Sequence, residues 1–156
     1  MKKLILVTLL CFGCSKEDTR QDVVPPPPPP KECLDTEPNN DGLQANFVDF
    51  VEKFDYIEFC GSAPNGNDMD FYQFAANSPL IFSSVIDYNS DSVMEAYIYV
   101  RDFITNEFMI VNHYFGDHGQ LVILDQFVPV MNYGFYLALR PITGYDTHYK
   151  VEVWIK

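Results

Sequence analysis

The 156-residue chain carries 22 acidic against 10 basic side chains, a formal charge of −12, with 15% aromatic residues and four cysteines. A surface of that sign repels the phosphates of nucleic acids and anionic lipid headgroups, so nucleic acid is excluded as an expected partner. The chain also lacks G-x-S-x-G, phosphate-loop and dinucleotide glycine patterns, and His113, His118 and His148 have no zinc spacing and read as surface-loop residues. No catalytic centre is marked, and the protein is not expected to be an enzyme.

Two lysines and an apolar run over residues 4–12 open the chain. The run is far shorter than the roughly 20 residues of a membrane helix, so residues 1–13 read as a signal peptide. The sequence CFGC at 11–14 resembles the lipobox of bacterial lipoproteins. That resemblance implies lipidation of Cys14, attachment to a membrane through this anchor, and an exported protein at the outer membrane or cell surface. Residues 14–34 read as a disordered acidic linker ending in a proline run at 25–30, whose polyproline II geometry at ~3.1 Å per residue spans roughly 19 Å. Cys33 and Cys60 are either two buried thiols or, in an exported chain, a disulfide. A bond between them closes a loop of about 27 residues, worth roughly 3 to 4 kcal/mol in the chain-entropy picture.

Residues 35–156 form the expected folded domain. Residues 43–54 allow a short helix. Beyond them, segments with period-two alternation run over 55–59, 70–76, 80–88, 93–103, 108–114, 120–127, 133–140 and 148–155, separated by turn signals such as the PNGN at 64–67. Within the fourth, Met94, Ala96, Ile98 and Val100 share one face, while Glu95, Tyr97, Tyr99 and Arg101 share the other. About eight strands at near-regular spacing with little helix predict an all-β antiparallel sandwich of jelly-roll type.

The order of four motifs is similar to the bacterial pre-peptidase C-terminal domain: EPNN at 37–40, DMDFYQF at 68–74, NYGFYLALRP at 132–141 and THYKVEV at 147–153. The likeness covers nearly all of residues 35–156. It implies a calcium-associated β-sandwich resembling the collagen-binding modules of clostridial collagenases. Asp35, Glu37, Asn39 and Asn40 offer oxygens within six residues, and Asn67, Asp68 and Asp70 offer more, which suits Ca²⁺ and its six to eight oxygen ligands. The resemblance implies that these seven positions jointly hold the cation, with Asn40 and Asn67 standing where acids are common. On the residues alone, both stretches also read as solvated loops. In the collagen-binding relatives exposed tyrosines form the ligand surface, which implies ligand contacts from Tyr97, Tyr99, Tyr136 and Arg140. With Phe135, Leu137 and Leu139 facing inward, Tyr136 and Arg140 are expected outward. Rings packed under loops are the alternative. The expected function is a non-catalytic, lipid-anchored surface module, calcium-stabilised, that binds an extracellular protein or glycan. The alternative is an accessory lipoprotein of a larger envelope complex.

Overall fold

Alternating segments can bury one face each only by stacking against another sheet, and the chain solves this with two. The computed structural model describes residues 33, 35–66, 68–102, 104–130, 134–144 and 146–156, all within the unit Lys31–Lys156. The signal segment, Cys14, the proline run and Asn67 lie outside the described residues. The strands are β1 Asn46–Phe50, β2 Tyr56–Ala63, β3 Asp70–Ala75, β4 Leu80–Tyr88, β5 Val93–Arg101, β6 Phe108–Gly116, β7 Gln120–Val128, β8 Phe135–Thr143 and β9 Thr147–Ile155. One sheet has the order β1-β3-β8-β5-β6 and the other β2-β9-β4-β7. The molecule is an all-β sandwich.

The eight expected segments became β2 to β9. The ninth strand corrects the reading of residues 43–54, where a short helix was allowed. β1 runs parallel to β3, and Val51 N–H continues the pairing to Ala75 C=O at 2.8 Å. β3 has β8 on one side only, so its other edge would present unpaired N–H and C=O groups. Covering that edge satisfies two strands of backbone groups, which outweighs the modest helix propensity of so short a segment.

Between the sheets lie Phe59, Phe74, Phe82, Ile86, Met94, Ile98, Ile123, Phe135, Leu137, Val151 and Val153, all essentially without solvent contact. Phe74 stacks on Phe135 at 4.8 Å, and Phe82 meets Phe135 edge-on at 5.1 Å, an arrangement aromatic quadrupoles favour. A second, smaller apolar cluster sits on the other face of the five-stranded sheet. Phe71, Tyr136 and Ala138 are buried there beside Ala45, Met69, Tyr97, Tyr99 and Phe108.

This second cluster corrects the expectation for Tyr136. The residue does point away from the main core, but it is only 2% exposed. Phe108 covers it edge-on at 5.0 Å, and a Cβ at Gly42 would lie 2.3 Å from the Phe108 ring. The loop after residues 37–40 therefore closes over Phe108, and Phe108 over Tyr136. Tyr136 is a packing residue.

Candidate metal centre

The acidic stretch at 35–40 lies against the start of β3 and the end of β2. Its backbone is pinned by Phe71 N–H donating to Asn39 C=O at 3.0 Å, next to Asp70. Asp35 is fixed from the opposite sheet, since Oδ2 accepts from Ser62 N–H at 2.8 Å and Ser62 Oγ at 3.0 Å, while Oδ1 accepts from Asn39 Nδ2 at 3.1 Å. Glu37 Oε2 accepts from Asn39 N–H at 3.2 Å. Asn40 acts as a strap, with Nδ2 donating to Glu37 at 3.4 Å and Oδ1 accepting from Met69 N–H at 3.3 Å. The turn before β3 is closed by Asp68 N–H donating to Asn65 C=O at 3.1 Å.

Carboxylate oxygens of Asp35, Glu37 and Asp70 lie within 4.8 Å of one another. Asp70 is fully buried, and Tyr149 donates its hydroxyl to Oδ2 in a short hydrogen bond. The Tyr149 proton being so placed, Tyr72 must donate across the 2.7 Å contact between the two phenols. Burial holds both phenols far above their usual pKa, so they remain donors. Three buried oxygens are left with no hydrogen-bond partner among the described residues: Asn39 Oδ1, Asp68 Oδ2 and Asp70 Oδ1.

The electrostatics follow from this crowding. Burial pushes Asp70 up to about 7, and the charges of Asp35, Asp68 and Glu37 add to it against the pull of the Tyr149 hydrogen bond. Asp68 is raised as well, by burial first and then by Glu37 and Asp35. Such a cluster is costly without a positive charge among the carboxylates. The donors fit one hard cation. All are oxygens, without the nitrogen or sulfur that zinc prefers, and the 4.8 Å span matches ligands on opposite sides of an ion at ~2.4 Å.

Of the seven expected positions, the structure brings Asp35, Glu37, Asn39, Asp68 and Asp70 together, and Asn40 adjoins them with its amide already engaged. Ser62, Tyr149 and Tyr72 were not foreseen. A signal for Ser62 did exist, because it follows Cys60 by two residues as Asp35 follows Cys33, and the cysteines are bonded, with 4.7 Å between their Cα atoms.

The expected ligand-contacting residues occupy a different face. Tyr97 and Tyr99 are half-buried on β5 with ring centroids 6.0 Å apart. Tyr97 stacks on His113 at 4.1 Å and nearly parallel, His113 lies 4.4 Å from Phe115, and Tyr99 lies 5.5 Å from Phe71. The register sets His113 opposite Tyr97, Phe115 opposite Glu95 and Ile110 opposite Tyr99, so β6 shares this face. Phe115 and Ile110 are well exposed. Glu95, expected to meet water, is buried; Arg140 Nε donates to it at 2.8 Å and the Tyr97 hydroxyl at 2.9 Å. Burial raises its pKa, but the hydrogen bonds from Arg140 and Tyr97 and the charges of Arg140 and His113 outweigh this and hold it below the usual range. Arg140 is thus tied down rather than free. Of the three histidines expected in surface loops, His113 is half-buried within β6 with Nε2 3.3 Å from Glu95 and His148 lies in β9, exposed beside Asp146, while His118 is exposed beside Asp117 between β6 and β7.

No protein-family model matches the chain, and no curated protein matches it. Among solved structures, the chain is similar to the pre-peptidase C-terminal domain of a collagenase from Bacillus anthracis, the domain type that the motif order resembles. The match has 15% sequence identity and a TM-score of 0.48, covering 70% of this chain and 93% of that domain.

Proposed function

We propose that the chain is a non-catalytic, calcium-stabilised β-sandwich module, held to the outer membrane or cell surface through a lipid on Cys14, which binds an extracellular protein or glycan. The calcium reading is carried by the three partnerless buried oxygens of Asn39, Asp68 and Asp70 beside the clustered carboxylates of Asp35, Glu37 and Asp70. Asp35, Glu37, Asn39, Asp68 and Asp70 would hold the ion. When bound, the cation supplies the positive charge that relieves the repulsion among these carboxylates. Tyr149 keeps the Asp70 carboxyl turned, and Ser62 does the same for Asp35. Oxygens fixed toward one point suit a cation cage better than an acid–base pair.

A partner surface is supported by the strip formed by Tyr97, Tyr99, Phe115 and Ile110, large apolar and aromatic side chains on one sheet face with polar tips among them. Lipid attachment is supported by the sequence before residue 15 alone. Melting the protein in calcium and in chelator tests the central reading. Calcium at a hundredfold excess over its Kd should add about 2.7 kcal/mol of stability. An unchanged melting temperature in millimolar calcium would rule it out.

A further inference from the structure

We propose that the Cys33–Cys60 disulfide positions the cation ligands, so that thiol–disulfide exchange at this bridge sets the calcium affinity of the site; the inference rests on the calcium reading above. The bridge and the Asp35–Ser62 contact are successive rungs between the same two stretches of chain. Cys33 is bonded to Cys60, and two residues further along each stretch Asp35 Oδ2 accepts from both Ser62 N–H and Ser62 Oγ. Asp35 then holds Asn39 through Nδ2, and Asn39 C=O is bonded to Phe71 N–H beside Asp70. The covalent rung thus begins a chain of contacts that reaches the partnerless Asn39 Oδ1 and Asp70 Oδ1.

Gly61 lies between the two rungs. A Cβ there would come within 2.3 Å of the Tyr72 hydroxyl and 2.6 Å of the Tyr149 hydroxyl, the phenol that donates to Asp70. Three consecutive residues of β2 therefore serve both halves of the site. Cys60 and Ser62 fix the Asp35 half, and Gly61 leaves room for the tyrosine pair that fixes the Asp70 half.

Cys33 is exposed, so a reductant can reach the bridge. In the exchange, the S–S bond takes up two electrons and two protons to leave thiols at Cys33 and Cys60, while a dithiol reductant is oxidised to its own disulfide. The chain around Asp35 would then be held by hydrogen bonds alone. Its residual freedom would have to be lost on cation binding, which lowers affinity, as loss of preorganisation does in general.

Calorimetric titration of calcium chloride into the full chain tests this, with oxidised protein, protein held in dithiothreitol and the Cys33→Ser/Cys60→Ser variant. The dissociation constant should rise at least about tenfold in the reduced protein and in the variant. Melting in chelator, run in parallel, separates this from a general loss of fold, because a purely structural bridge lowers that melting temperature and leaves the calcium increment unchanged. Equal dissociation constants overturn the positioning role and leave the calcium site standing. Absence of calcium binding by the oxidised protein overturns the calcium reading and this inference with it. Ser62→Ala keeps the bridge and removes one rung contact, so it applies even where the bridgeless chain fails to fold. A several-fold weaker site is expected from it, and an unchanged constant overturns the proposal.

Discussion

Asp70 decides how the site responds to pH. In the calcium-free protein its pKa, near 7, lies well above the ordinary 3.8. The folded state therefore holds a proton that the unfolded state releases across that window. Stability must then fall as pH rises from about 4 to about 7, and the loss is complete above the folded pKa. The effect is on the order of a few kcal/mol. Asp68, shifted the same way, adds in the same direction. Urea unfolding in calcium-depleted buffer at about pH 5 and about pH 8 should show the wild type losing more stability than Asp70→Asn over that interval. Parallel losses in the two proteins would refute the assignment. The same substitution should remove most of the calcium increment, because a neutral amide replaces a buried carboxylate at the ion. The gathering of Asp70 with its acidic neighbours was legible only through the family resemblance, since on their oxygens and spacing alone the two stretches also read as solvated loops. Tyr149 and Tyr72 were not legible, since a hydroxyl that ends up beside a carboxylate through sheet pairing leaves no local mark in the sequence.

Strands β2 to β9 were readable from period-two alternation bounded by turn signals, although β3 and β8 are buried on both faces over much of their length. β1 was not, because Phe47 and Phe50 are exposed and its contribution is backbone pairing to β3, which has no side-chain signature. Tyr136 shows the other gap. Alternation placed it on the correct face of β8, but whether a face is wet depends on what crosses it, and Phe108 and the loop at Gly42 come from elsewhere in the chain. On the outward side of β5 and β6, Phe115 and Ile110 of β6 are exposed. Phe115 and Ile110 can be truncated there without opening the core, so Phe115→Ala and Ile110→Ala should each change stability by no more than about 0.5 kcal/mol. On an array of extracellular-matrix proteins and glycans, the paired substitution should weaken binding at least tenfold, roughly the cost of losing a contact anchor. Equal binding by wild type and variant would remove this face from the reading.

At the scale of the whole molecule, β5 with β6 is the only pairing among the described residues between strands adjacent in sequence; each of the others joins strands separated by at least one intervening element. Local pattern could therefore locate strands and could not assign their partners. The same topology makes folding dependent on distant contacts and slow relative to helical domains of this size. The excess of acids over bases, −12 overall, repels anionic headgroups, so the membrane attachment proposed above rests on the covalent lipid at Cys14. Cys14→Ser should accordingly move the protein from the membrane fraction to the soluble fraction, and unchanged fractionation would eliminate the anchor.

The bridge between Cys33 and Cys60 also has a mechanical meaning. A pull travelling up the chain toward the domain meets Cys33 before it meets Asp35. The disulfide passes that load directly to β2, which is hydrogen-bonded along its whole length to β9. The loop carrying Asp35, Glu37 and Asn39 lies on the slack side of the bond. If the chain is tethered and binds a partner as proposed, a tug between the two would bypass the carboxylates of Asp35 and Glu37.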